Sequence, residues 1–327
     1  MSSMSPIRAA LATVIVAAML AACSSRPQAP VQEQEAANPN TPAVRAAKPS
    51  DVRNFTIGTY AAMALHDGSL KFPNDNKVFG VGHTPAEVAA LLGSAGLPTD
   101  SLEISLQPLL VKTADRVMLF DTGAGANMGP SGGRLLTSMS EAGIASATIT
   151  DIFISHSHGD HVGGLVNAAG ARTFPNAAIH ISAPEWAYLK GMTAEQAKAN
   201  GITNHAALIA AITPKIAEFA PDADLVPGAV KAVAIKGHTP GHSGYLIISG
   251  RASLLYVGDT VHHCVVSVQK PDWPIAFDSD PATAQASRKT LLSESAANGR
   301  LLYAVHFPFP GLGRIQRKGD GFVWVGE

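Results

Sequence analysis

The sequence is poor in cysteine, charge and aromatic side chains. Its two cysteines, Cys23 and Cys264, are far apart in 327 residues. Cys23 lies in an export signal, so Cys264 has no partner in the body and no internal disulfide is available. Only 15% of the residues are charged, and the net charge is −1. Residues 1–50 carry four Lys/Arg and two Asp/Glu, leaving 20 against 23 for the rest. That near-neutral body lacks the electrostatic footprint of a nucleic-acid-binding surface. Hydrophobic residues nevertheless reach 46%, and the length suits one large domain or two small ones with a sizeable core. No internal repeat is visible.

The N-terminus carries targeting information. Arg8 precedes Ala9 to Leu20, a run of twelve residues that is apolar but for Thr13. It is too short to span a bilayer but suits the core of a secretory signal over residues 1–22. Leu20-Ala21-Ala22-Cys23 resembles the lipobox of bacterial lipoproteins. That resemblance implies cleavage before Cys23 and lipidation of it, giving a lipid anchor in the bacterial envelope. Ser24, rather than Asp, resembles an outer-membrane address facing the periplasm. An ordinary cleaved signal with an incidental Cys23 is the alternative. Residues 23–50, rich in Pro, Ala, Gln and Glu, read as a disordered tether.

The body, residues 51–327, alternates strand-like and helix-like segments. Strands are expected at Phe55–Ala64, Ile104–Val111, Arg116–Phe120, Thr148–Ser155, Ala177–Ser182, Lys231–Ile235, Gly244–Ile248, Leu254–Val257 and Leu301–Val305, with an edge strand at Phe322–Val325. His66-Asp67-Gly68 reads as a hairpin turn. Thr84-Pro85-Ala86-Glu87 has the N-cap, N1 proline and N3 glutamate of a helix start. Further helices are expected at Gly133–Ala142, from His161 to Ala169, at Pro184–Leu189, and from Asp280-Pro281 to Asn298. Thr193–Ala220 reads as mostly helical, serving as packing or as a flap over a site. The alternation implies sheets covered by helices.

The densest chemistry is Ser155-His156-Ser157-His158-Gly159-Asp160-His161. Imidazole and carboxylate are common metal ligands, and His156 and His158, two apart in extended chain, point the same way. Asp160 and His161 follow on a turn, where they can face a second ion. Three more metal-type side chains stand just past apolar runs, where α/β folds place their sites: His238 in Gly237-His238-Thr239-Pro240-Gly241-His242, Asp259 in Gly258-Asp259-Thr260, and His306 after Leu301–Val305.

Taken together, these segments resemble the metallo-β-lactamase superfamily, from about Phe55 to the C-terminus. The resemblance implies an α/β fold, the αββα sandwich of two mixed β-sheets flanked by helices. His156, His158 and His238 match the superfamily's first metal site. Asp160, His161 and His306 match the second, and Asp259 the carboxylate that bridges both. Asp121, in Asp121-Thr122-Gly123, matches an aspartate that supports the histidine motif. Asp224–Gly228, Gly237–His242, Phe277–Asp280 and His306–Gly313 are similar to the methyl parathion hydrolase branch.

His242 is read as support for its loop, and His262 as a candidate substrate contact in the pocket. His66, His83, His180, His205 and His263 are read as ordinary histidines, and Cys264 as a small buried residue. Trp186, Tyr188, Phe307 and Phe309 belong either to the pocket or to the core.

The expected cofactor is two divalent ions per chain, with zinc as the default for this ligand set. A hydroxide shared by them would attack an ester, a lactone or a phosphotriester, with no Ser or Cys nucleophile. Asp259 would hold the metals, and Asp160 would orient the hydroxide or pass a proton to the leaving group. β-Lactamases usually lack the carboxylate at the Asp259 position, which leaves β-lactam hydrolysis as the alternative reading and a non-catalytic envelope lipoprotein as a remote one. A small-molecule substrate is expected and no nucleic acid; a homodimer is left open.

Overall fold

The computed structural model describes residues 50–327. The signal over 1–22, Cys23 and, but for Ser50, the tether lie outside the described residues. The elements in chain order are β1 (Val52–Ile57), β2 (Tyr60–Leu65), β3 (Gly68–Pro73), α1 (Pro85–Ser94), β4 (Ser101–Leu106), β5 (Leu109–Lys112), β6 (Val117–Phe120), α2 (Leu135–Glu141), β7 (Asp151–Phe153) and α3 (Gly159–Val162). They continue with β8 (Ala178–Ser182), α4 (Ala183–Gly191), α5 (Ala194–Ala199), α6 (His205–Ile212), β9 (Ile216–Phe219), β10 (Asp224–Val226), β11 (Val230–Ala234), β12 (Ser243–Ser249) and β13 (Ala252–Tyr256). The last are α7 (Val266–Gln269), α8 (Pro281–Asn298), β14 (Leu301–Tyr303), β15 (Leu312–Lys318) and β16 (Gly321–Gly326).

Two seven-stranded sheets result, ordered β1-β2-β5-β6-β7-β8-β9 and β10-β11-β12-β13-β14-β15-β16. Both are mixed. The first is antiparallel as far as β6 and parallel from β6 to β9; the second is antiparallel except for β13 with β14.

The two-residue period of the strands sorts side chains between layers. Met118, Phe120 and Phe153 point between the sheets, where they join Val230, Tyr245, Ile247, Tyr256 and Tyr303. Leu119, Ile152 and Ile154 point the other way, onto Leu135, Met139, Trp186, Leu189, Leu208 and Ile212. On the far side, Leu255 and Leu302 pack under Leu291 and Leu292 of α8. This is the αββα sandwich that the resemblance implies. Among the described residues, no helix is long and apolar enough to cross a membrane.

Several elements differ from the sequence expectation. Phe55–Ala64 is two strands, because Gly58, at φ 58°, turns the chain into a β1–β2 hairpin. Ile104–Val111 breaks at Gln107-Pro108, where proline has no N–H for a ladder and the buried Gln107 amide bonds to Ala304 O and Phe307 O. His66-Asp67-Gly68 is no hairpin: β2 lies in the first sheet, while β3 pairs with β4 alone. Asp67 is buried there, accepting N–H bonds from Ala124, Gly133 and Leu135. The helix expected over His161–Ala169 is a single turn of α-helix and a 3-10 turn, and the "helical" Thr193–Ala220 ends in strand β9. The capping box at Thr84 is present, with Glu87 Oε2 2.7 Å from Thr84 N.

A candidate dinuclear metal centre

The site stands where strands end. The chain leaves β6 into Asp121, β7 into Ser155–His161, β13 into Asp259 and β14 into His306; the β11–β12 connection supplies His238 and His242. Seven side chains converge in two adjoining groups. His156, His158, His238 and Asp259 form one and Asp160, His161 and His306 the other, the ligand atoms within each lying within 4.8 Å of one another. His238 Nε2 is 3.2 Å from His156 Nε2 and 3.0 Å from His158 Nδ1. Asp259 faces both groups. Its Oδ2 lies 3.4 Å from His238 Nε2 and 3.6 Å from His156 Nε2. Its Oδ1 lies 3.2 Å from His161 Nε2 and 3.0 Å from His306 Nε2. Asp160 Oδ2 is 3.6 Å from His161 Nε2 and 3.7 Å from His306 Nε2.

Groups outside the cluster orient the imidazoles. His161 donates from Nδ1 to Asp121 Oδ2 (2.7 Å), His238 to Asp278 Oδ1 (3.0 Å) and His306 to the Ser105 carbonyl (2.8 Å). The Nδ1 of His156 meets Ser155 Oγ at 3.0 Å, and that hydroxyl in turn donates to Asp121 (2.6 Å). A ring whose Nδ1 donates outward carries its lone pair on Nε2, directed inward, as in histidines that ligate a metal. Asp121 also takes Ser155 N–H and Tyr256 O–H, with its backbone held at φ 57°, an uncommon conformation for a residue other than glycine. Asp278 is held in turn by the buried Arg288, 2.8 Å away.

His242 supports a loop, as its spacing suggests. It donates to Ile235 O and accepts the Asp259 N–H at 2.9 Å, fixing the turn that carries Asp259. Gly258 allows this contact: at φ 50°, a Cβ there would stand 2.5 Å from His242 Nε2.

The electrostatics suit a cation. Burial pushes His158 down to about 4, and pushes His156 and His238 well below the usual imidazole range. Burial also acts on His161 and His306, but the neighbouring Asp259 and Asp160 outweigh it and raise both. Burial works against ionised Asp259, yet the surrounding histidines hold its carboxyl well below the usual carboxylate range. Among the described residues, His161 Nε2 and Asp259 Oδ1 are buried without a hydrogen-bond partner. Orphaned buried atoms are costly unless something binds them. Inward lone pairs, a carboxylate facing both groups and these orphans fit two divalent ions.

A cavity of about 300 Å³ opens onto His158, Asp160, Asp259 and His306. Its walls are largely apolar, with Leu70, Phe72, Ile104, Met128 and Phe277 around Ser131 and Asn200. His262 does point into it, with Nε2 3.1 Å from Asp259 Oδ2 and Nδ1 unpartnered. The turn after α5 forms part of the wall, and Asn200 O caps the Gly159 N–H at 2.8 Å. Segment 193–220 is therefore both packing and pocket wall.

The four aromatics left open do not line this cavity. Trp186 and Phe307 are core, Tyr188 is partly buried against the cluster that holds Trp186, and Phe309 borders a different cavity. His66 and His180 pair with Asp51 and Asp151, His83 stacks on Trp273, and His205 bonds to Leu189 O. His263 is buried, and burial pushes the half-buried Cys264 thiol up to about 11.

The sequence reading missed Asp278 and Glu185 as supports. Glu185 lies three residues after the Ser182 N-cap and reads as half of a capping box. Ser182 does accept from Glu185 N, but the carboxylate turns to Ser157, Thr239 and Gly241 instead.

Known proteins resemble this chain. The family described as "Metallo-beta-lactamase superfamily" matches residues 108–306. AidC, described as a dizinc quorum-quenching lactonase in complex with a product, N-hexanoyl-L-homoserine, is 32% identical with a TM-score of 0.79, covering 85% of this chain and 98% of AidC. AbOPH, described as a hydrolase in the beta lactamase superfamily, is 25% identical with a TM-score of 0.76, covering 86% and 98%. Probable metallo-hydrolases of Mycobacterium bovis and Mycobacterium tuberculosis are 24% identical over 187 residues, 47% of this chain. The match spans 56% of those relatives' length.

Proposed function

The chain belongs to the metallo-β-lactamase superfamily, and from that premise we propose that it is a dinuclear hydrolase that opens a lactone or ester bond in a small, partly apolar molecule. The observation that carries the proposal is Asp259, which faces both ligand groups at the floor of an apolar cavity. The likeness to AidC, a dizinc lactonase by its description, supports it. His156, His158 and His238 would hold one ion, Asp160, His161 and His306 the other, with Asp259 between them; zinc suits this donor set. Such a pair supplies an acidified water and a Lewis acid for the substrate oxygen.

The chain's own groups do the rest. Leu70, Phe72, Ile104, Met128 and Phe277 receive the apolar part of the substrate and exclude water. Asp160, the most exposed acid of the cluster, faces the cavity and can take a proton and return it to the leaving alkoxide. His262, beside Asp259, can donate a hydrogen bond to the departing oxygen.

Resemblance of Asp224–Gly228 and His306–Gly313 to the methyl parathion hydrolase branch motivates a phosphotriester as second substrate class. The test is a panel of a lactone, an aryl ester, an aryl phosphotriester and nitrocefin with metal-loaded protein. The proposal expects kcat/KM to be highest for the lactone or the ester. Highest turnover of nitrocefin would instead make the protein a β-lactam hydrolase.

Envelope anchoring through Cys23 is a separate proposal, supported by the Leu20–Cys23 motif. It expects labelled palmitate to be incorporated by the wild type and not by Cys23→Ser. Equal labelling of both would overturn it.

A further inference from the structure

Glu185 is fully buried at the start of α4 and takes no part in the chemistry assigned above. Its Oε1 accepts from Ser157 N–H at 2.8 Å and Ser157 Oγ at 2.5 Å. Its Oε2 accepts from Thr239 Oγ1 at 2.8 Å and Gly241 N–H at 2.9 Å. Ser157 stands between His156 and His158, and Thr239 follows His238. One carboxylate thus ties together the two loops that supply all three imidazoles of the first ligand group. In the second group, His161 is oriented by Asp121 and His306 by the Ser105 carbonyl.

We propose that Glu185 is a positioning residue that sets the span between the 156–158 and 238–241 loops, and so selectively controls the affinity of the first metal site. This rests on the dinuclear reading. The chemistry of the partners explains why a carboxylate is needed. All four are donors, and two are backbone N–H groups that cannot reverse. A glutamine of the same shape must turn its NH₂ toward Ser157 N–H or Gly241 N–H, opposing donor to donor. Burial raises the Glu185 carboxyl above its ordinary range, and these four bonds, one to each available direction, act against that rise and favour the ionised form. Helix capping does not account for the residue, because its carboxylate bonds to the two loops and Ser182 alone caps the helix.

The test uses the full chain, stripped of metal and titrated with Co²⁺ against a chelator of known affinity to give two stepwise constants. His238→Ala and His306→Ala identify which step belongs to which site. Glu185→Gln should weaken the first-site step by about 10–100-fold, the usual cost of losing an outer-shell partner, and leave the second step unchanged. Thr239→Val, which removes one donor without stranding a charge, should weaken the same step by less. Equal weakening of both steps, or an unchanged first step, would overturn the inference. If Glu185→Gln does not fold, Thr239→Val and Ser157→Ala decide, and unchanged first steps in both overturn it. A wild type that takes up no ion overturns the dinuclear reading and this inference with it. A wild type with two ions beside an unaffected variant overturns this inference alone.

Discussion

Single side chains divide the labour of the site. Among the described residues, Asp259 alone offers an oxygen to each ligand group, so Asp259→Ala should cost both sites at once. The expected fall in kcat/KM is well beyond the roughly 100-fold typical of an outer-shell loss, with the far-UV circular dichroism unchanged. Retained activity would show that Asp259 does not join the two sites. His263 predicts a pH effect on stability. Burial pushes it down to about 4, below its ordinary 6.5. As pH falls from about 6.5 to 4, the unfolded chain gains a proton that the folded chain does not, so stability drops by up to roughly 3 kcal/mol. His263→Gln lacks this contribution. The stability gap between wild type and variant, read from urea midpoints, should therefore shift in favour of the variant as pH falls from 7 to 4. A constant gap would contradict the assignment.

At the scale of elements, the two-stranded β3–β4 sheet is a wall. Its alternation turns Leu70, Phe72 and Ile104 toward the metal cavity and Ser69, Ser101, Glu103 and Ser105 toward a second cavity behind it. Phe72→Ala should raise KM for substrates with an apolar arm by about tenfold and leave kcat nearly unchanged, as expected when ground-state contacts are lost. A fall in kcat at constant KM would show that the wall acts on the reacting centre instead.

The same pair of strands marks the limit of what the sequence makes legible. Seven ligand-type residues could be read because they cluster at strand ends in patterns that packing alone does not explain. The walls could not be read, since Leu70, Phe72 and Phe277 look like any core residue until the fold sets them around a cavity. Glu185 was hidden because its spacing from Ser182 imitates a capping box, and Asp67 because Asp-Gly imitates a hairpin turn. Strand breaks at Gly58 and Pro108 escaped because the apolar pattern runs through them. The layer architecture was legible, because strands and helices alternate in both halves of the body.

For the whole molecule, metal should act as part of the fold. The two ligand groups draw on loops from both sheets, so ions that bind only the folded chain stabilise it by mass action, by about 2.7 kcal/mol at a hundredfold excess over Kd. Chelation should lower Tm by several degrees, and readdition of Zn²⁺ should restore it. An unchanged Tm would place the ions outside the folded scaffold. The central claim, two ions joined by Asp259, is tested most directly by metal content per chain measured alongside hydrolysis during stepwise Zn²⁺ loading of apo-protein. Two ions bound per chain, with lactone or ester turnover complete only at the second equivalent, is the predicted result. Saturation of both binding and turnover at one ion per chain would contradict it.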